Sequence, residues 1–168
     1  MSQYDVYGIG NALVDMEFAV GDDFLREHEL EKGHMTLVEA SRQHFLVGRL
    51  GEHTAAVKRA SGGSAANSLM ALSAFGGSAY YSCRVADDEP GRFFIEDLRA
   101  AGVDCTDPAP HDATAEVDRD TGRCLIMVTP DAERTMLTHL GISTTLSRAQ
   151  LDAEALARSR YLYVEGYL

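Results

Sequence analysis

From residue 4 onward, strand-like and helix-like runs alternate along the chain, and glycine closes most of them. This alternation constrains the fold more than any other feature, because β-α-β order favours a parallel sheet flanked by helices over a helical bundle or a β-sandwich. Residues 4–10 are β-rich and end in Gly8-Ile9-Gly10, and in residues 13–20 Asp15 and Glu17 alternate against apolar neighbours. Asp22 is placed to cap a short helix through Leu30, closed by Gly33, and 35–38 form a brief extended piece. A helix over 41–50 is expected to stop at Gly51, with a strand over 54–59 behind it. Gly62-Gly63 then feeds a helix of small residues over 64–75, stopped by Gly76. A strand over 79–85 follows, and a helix over 88–101 has Pro90 in its first turn and Gly102 at its end.

The next segment changes character. Extended runs over 114–117, 123–128 and 133–138 are separated by the turn-forming stretches 118–122 and 129–132, which reads as a β-meander inserted into an α/β chain. Ser147 and Gln150 have capping-box spacing for a helix through Arg158, and 161–164 open a final strand. In α/β sheets ligands gather at the carboxyl ends of strands, so the last residues lie where a site is expected to continue.

A length of 168 residues suits one domain with a sizeable core. The 26 acidic against 15 basic residues give a net charge of −11, and the basic residues stand singly or as the pair Lys58-Arg59, which argues against nucleic-acid and membrane-surface partners. The 24 residues between Arg59 and Arg84 carry no formal charge, but their glycines, serines and Asn67 dilute them below what a membrane span needs. Cys83, Cys105 and Cys124 form neither an even set nor a CxxC pair, so no disulfide framework is expected and a reducing cytoplasm is the default location. The first five residues show no signal-peptide pattern.

Gly8-Ile9-Gly10 begins like a dinucleotide fingerprint, but the third glycine would fall at Leu13, and no GxxxxGK[ST] loop occurs. The six histidines lack HExxH spacing, so no metal site is expected. Asn11 and Asp15, at the exit of the first strand, offer two acceptors and a donor to a vicinal diol, but spacing alone favours a solvated acid on a hairpin edge. Gly62-Gly63 with Asn67 in the following first turn permits close approach of a ligand, or simply a tight loop under a closely packed helix. Asp87-Asp88-Glu89 is read as an acidic helix start rather than a cation site, and Arg134 as either a ligand-facing guanidinium or a solvated edge residue.

Taken in order, Gly10-Asn11-Ala12-Leu13-Val14-Asp15, Gly62-Gly63-Ser64-Ala65-Ala66-Asn67-Ser68, Phe75-Gly76-Gly77, Asp88-Glu89-Pro90-Gly91, Gly102-Val103-Asp104, Glu133-Arg134 and Val164-Glu165-Gly166-Tyr167-Leu168 resemble the ribokinase/adenosine kinase (PfkB) family of carbohydrate and nucleoside kinases. The GN-x-L-x-D form, and Asn before Ser in the helix, look more like the adenosine-kinase branch. The resemblance implies an α/β fold, a three-layer ribokinase-like sheet with a small β-sheet lid drawn from about 13–20, 35–38 and 114–138. It implies ATP- and Mg2+-dependent phosphorylation of a ribose 5′-hydroxyl or sugar hydroxymethyl. It assigns sugar hydroxyls to Asp15, with Asn11, Gly63 and Asn67 completing the pocket, Gly62-Gly63 acting as a lid hinge, and Arg134 on the lid.

The family's C-terminal half carries a GAGD anion hole with the aspartate base and the main ATP and Mg2+ site, and no GxGD occurs here. The 1–168 chain therefore resembles about the first half of such a kinase, holds no catalytic residue of its own, and is expected to be inactive alone. The alternative is a non-catalytic module that forms a homodimer through its lid strands, or self-associates.

Overall fold

A computed structural model describes residues 3–53, 58–108 and 120–167 of the chain. The chain divides into two compact units, passing between them after Val14, Ala60, Gly122 and His139.

The first unit comprises Met1–Val14, Ser61–Gly122 and Leu140–Leu168. Its sheet contains β1 (Tyr4–Ile9), β5 (Ala79–Ser82), β6 (Val103–Cys105) and β9 (Ser159–Val164) in the order β6-β5-β1-β9, with every pairing parallel. Successive strand residues face opposite sides of a sheet. On one side Tyr7, Ile9 and Tyr80 pack with Ala155 and Leu156 of α5 (Ala153–Ala157), the Tyr7 and Tyr80 rings stacking at 5.4 Å. On the other, Gly8 faces Leu69 of α3 (Ser64–Ala74) so closely that a Cβ would sit 2.5 Å from a Leu69 methyl. Helices on both faces make this unit a three-layer α/β sandwich. α4 (Glu89–Ala100) starts at Asp88, whose carboxylate accepts from the Gly91 N–H at 2.8 Å and from the Thr121 N–H and hydroxyl at 2.9 and 2.6 Å. The acidic run is thus a helix start, as its sequence suggests.

The second unit, Asp15–Ala60 and Arg123–His139, holds most of a five-stranded sheet of order β3-β8-β7-β2-β4. Its strands are β2 (Leu13–Ala19), β3 (Met35–Leu37), β4 (Lys58–Gly62), β7 (Thr121–Val128) and β8 (Arg134–Gly141). One sheet face is sealed by α1 (Asp22–Glu27) and α2 (Ala40–His53): Phe18, Leu125, Met127 and Leu137 pack with Phe24, Leu25, Leu46 and Leu50. At that interface the Gln43 amide donates to the Arg123 carbonyl at 2.9 Å, supplying the partner a buried amide requires. Lys32 bridges Asp22 and Asp131, both at 2.7 Å, tying α1 to the β7-β8 turn.

Several boundaries differ from the sequence reading. α2 runs through Gly51, where a Cβ would meet nothing within 4 Å; an exposed helical glycine costs only about 1 kcal/mol, too little to end a packed helix. Asp22 is the first helical residue and Gly21 the cap. The strand expected over 54–59 is found at Lys58–Gly62, while 54–57 and the run at 114–117 lie outside the described residues. β5 ends at Ser82, and β6 is a strand the sequence reading lacked. The Ser147 capping box exists but starts only the 3-10 turn Arg148–Gln150. The Asp152 N–H leaves the helical ladder to donate to the Tyr7 hydroxyl at 2.9 Å, and its carboxylate caps α5 afresh through the Glu154 and Ala155 N–H groups. Among the described residues no helix is long and apolar enough to cross a membrane.

Candidate functional site

Each unit carries one group of the residues singled out in the sequence. In the first, the group forms where β1 and β9 end. Chain order runs from β1 outward to β5 and β6 and then returns to β9 on the other flank, so the β1-β9 boundary is a topological switch point, the usual ligand crevice of a parallel sheet. Asn11 leaves β1 there and is 7% exposed. Its amide oxygen accepts from the Ser143 hydroxyl at 3.0 Å, its amide nitrogen donates to the Tyr167 carbonyl at 3.0 Å, and its own carbonyl accepts from the Tyr81 hydroxyl at 2.9 Å. One N–H of the side chain is left over for a ligand.

Gly62 ends β4 and is buried; Gly63 has φ +101°, a conformation that side-chain-bearing residues rarely adopt. A Cβ on Gly63 would also lie 2.4 Å from the Asn11 carbonyl oxygen, so glycine is required here twice over. The Gly63 carbonyl accepts from the Asn67 N–H at 3.0 Å, and the exposed Asn67 amide makes no hydrogen bond among the described residues. Asn11 and Gly63 thus meet at the head of α3, and Asn67 follows in its first turn.

The same corner holds a residue the sequence reading quoted but gave no role. Glu165, just beyond β9, accepts from the Asn11 N–H at 2.7 Å, the Ala65 N–H at 3.0 Å and the Ser64 hydroxyl. Gly10 is glycine for this reason, since its Cβ would lie 2.7 Å from a Glu165 carboxylate oxygen. This carboxylate takes the donors that a phosphate at the helix start would need. Among the described residues no group of three or more His, Cys, Asp or Glu side chains could hold a metal. The described residues at this corner therefore do not fit Mg2+-ATP.

In the second unit, Asp15 and Arg134 lie on the sheet face opposite the helices. Strand alternation sends Met16 and Phe18 toward α1 and α2, and Asp15 and Glu17 the other way. The same rule puts Cys124, Ile126, Arg134, Met136 and Thr138 on the Asp15 face, and the parallel register Met35↔Met136 and Leu37↔Thr138 adds Met35 and Leu37. The last two are 53% and 59% exposed. Burial lifts the Asp15 carboxyl from 3.8 to about 6, against the opposing pull of the Arg134 guanidinium. No hydrogen bond reaches this carboxylate from any described residue. Burial likewise pushes the Cys124 thiol up to about 11, and the Thr138 hydroxyl lies 3.4 Å from its sulfur. The face thus combines a desolvated carboxylate of open hydrogen-bonding capacity with an apolar rim. The sequence reading groups 35–38 with 13–20 in one sheet, but gives Met35 and Leu37 no role, because which side of that sheet they face depends on the register with β8.

Residues 33–168 match the model of the pfkB family carbohydrate kinases. The chain is 40% identical to the crystal structure of adenosine kinase from Sinorhizobium meliloti, with a TM-score of 0.85 over 99% of this chain and 48% of that one. A probable sugar kinase from Rhizobium etli is 36% identical, with a TM-score of 0.84 over 100% of this chain and 48% of that one. An adenosine kinase from Schizophyllum commune is 26% identical over 99% of this chain and 48% of its own length. The chain thus spans about half the length of the relatives it matches.

Proposed function

The chain belongs to the pfkB family of carbohydrate kinases, and from that premise we propose that it is the substrate-binding and lid portion of an ATP-dependent kinase for adenosine or a related nucleoside or sugar. The reaction proposed is phosphoryl transfer to a ribose 5′-hydroxyl or sugar hydroxymethyl. The observation that carries the reading is the Asp15 carboxylate, held without a hydrogen-bond donor on a sheet face rimmed by Met35, Leu37 and Met136.

Leaving a partly buried carboxylate unsatisfied is costly, and a ligand's vicinal hydroxyls would supply the donors it lacks. Two hydroxyls donating to one carboxylate fix a furanose ring in orientation, which is the part of phosphoryl-transfer catalysis that depends on positioning. The apolar rim at the β3 edge of the same face suits the flat face of a nucleobase better than a free sugar, which has only hydroxyls to present. Within the first unit, the spare Asn11 N–H and the free Asn67 amide are the polar groups assigned to substrate by this reading. The base and the donors that stabilise the transferring phosphoryl group belong to a GAGD segment that this sequence does not contain.

Calorimetric titration of the chain with adenosine, ribose and inorganic phosphate tests the proposal. Saturable binding of adenosine, tighter than that of ribose, is expected. Absence of binding by both would contradict it, and ribose bound as tightly as adenosine would move the substrate from the nucleoside to the sugar. A second reading, a homodimerising module, draws on β3, an edge strand whose three residues are all exposed. Its mark would be a concentration-dependent dimer lost on Thr36→Pro.

A further inference from the structure

Within the first unit an open groove of about 450 Å³ lies beside the ends of β5 and β6, bounded on one side by residues 149–152. The acidic side chains that line it are engaged. The Asp107 carboxylate accepts from the Arg99 guanidinium at 2.7 Å, and the Asp152 carboxylate accepts from the Glu154 and Ala155 N–H groups at 2.9 and 2.8 Å and from the Tyr80 hydroxyl at 3.3 Å. Its donors are open. Arg84 donates from Nη1 to the Thr145 carbonyl at 2.7 Å, but its Nε–H is buried with no acceptor, and among the described residues no carboxylate pairs with this guanidinium. Ser147 donates twice to the Gln150 amide oxygen, which leaves the Gln150 NH2 without an acceptor among the described residues.

A guanidinium holds its five N–H groups in one rigid plane, so with Nη1 taken the remaining edge, Nε and Nη2, is a pair of parallel donors spaced for the two oxygens of one carboxylate. A buried donor without an acceptor is costly, and an arriving carboxylate would remove that cost. The groove is of a size that encloses an organic ligand rather than a bare ion, and Tyr80, Pro108 and Leu151 give it apolar wall. Two acidic side chains share the lining, and among the described residues only Asp107 has a cationic partner, so a singly charged group suits the groove better than a doubly charged phosphate. We propose that this groove binds a small organic monocarboxylate, taken side-on by Arg84 with the Gln150 NH2 as a further donor. The nucleoside or sugar reading makes no use of Arg84, so the two stand or fall separately.

The test is a titration of phenylacetate, phenylacetamide and phenyl phosphate into the 168-residue chain at pH 7.5, followed by the Arg84 Nε–H resonance and by the amide resonances of Thr106 and Leu151. Phenylacetamide keeps the apolar body without the charge, and phenyl phosphate keeps the body with a larger charge. Phenylacetate should shift all three resonances saturably, and the other two probes should bind more weakly. Arg84→Lys keeps the positive charge but lacks the paired donors, and should weaken phenylacetate ~10–150-fold. No saturable response to phenylacetate at these resonances would overturn the proposal, as would phenylacetamide or phenyl phosphate binding as tightly, or a folded Lys variant that binds phenylacetate unchanged. Should the Lys variant fail to fold, the comparison of the three probes on the wild-type chain decides alone. Adenosine has no carboxylate and should leave the Arg84 Nε–H unmoved, so failure here and failure of the nucleoside reading are told apart in the same spectra.

Discussion

Replacing Asp15 by asparagine should stabilise the chain while it cripples ligand binding, and the two effects come from one cause. Burial raises the folded-state carboxyl to about 6 from 3.8, so above pH 6 the folded state carries an ionised group that the unfolded chain ionises more easily. At about 1.4 kcal/mol per pH unit the ceiling on that penalty is about 3 kcal/mol. The carboxylate keeps partial access to solvent, which reduces the expected gain on Asp15→Asn to about 1–2 kcal/mol at pH 7.5. Stability linked to Asp15 is fully present below pH 3.8 and lost as pH rises through 6, so the advantage of the variant should shrink to near zero by pH 4. Asparagine also gives up the charge-assisted bonds proposed for the ligand's hydroxyls, about 1.5–3 kcal/mol, or a ~10–150-fold weaker nucleoside affinity. In the wild-type chain the same titration should weaken nucleoside binding as pH falls below about 6. Urea unfolding of both proteins between pH 4 and 8, with calorimetry at pH 7.5, reads all of these quantities. A variant less stable than wild type at pH 7.5, or a stability difference that does not change with pH, would refute the reasoning.

Gly63→Ala should lose about 2–4 kcal/mol, since alanine must adopt φ near +101° and also place a methyl 2.4 Å from the Asn11 carbonyl oxygen; thermal unfolding measures it, and a loss below 1 kcal/mol would show that the turn relaxes. The chain alone should show no ATP consumption above background in the presence of adenosine or a pentose, because each missing element of the phosphoryl-transfer machinery is worth ~10²–10⁴ in rate; adenosine-dependent turnover surviving repurification would contradict this. β9 is an edge strand with Tyr161, Leu162, Tyr163 and Val164 all exposed, so sedimentation should detect self-association that rises with concentration, and a compact monomer at high concentration would show that this edge is blunted.

The parts of the fold that local chemistry controls were legible in the sequence. Pro90 and Asp88 start α4, Gly76 and Gly102 end their helices with positive φ, and alternation in 13–20 separates Asp15 from the apolar core. Features set by distant partners were not. The Ser147 capping box reads as one long helix until the Tyr7 hydroxyl, 145 residues away, takes the Asp152 N–H. Leu13 rules out a phosphate turn at Gly8 and Gly10 in the sequence, but only the structure shows what they are for: one makes room for Leu69 and the other for Glu165. Asn11 was singled out for its amide, most of which serves Ser143 and Tyr167. Asp15 was singled out for its position, but what distinguishes it, desolvation without a donor, arises only once Cys124, Ile126 and Met136 share its sheet face.

The claim that Asp15 and its face receive the substrate is tested most directly by mapping adenosine onto the chain through its amide and methyl resonances. The account predicts saturable shifts at Asp15 and Arg134 and at the methyls of Met35, Leu37 and Met136, all abolished by Asp15→Asn. Shifts confined instead to the open groove of about 450 Å³ lined by Tyr80, Cys105 and Gln150, with the Asp15 face silent, would contradict it.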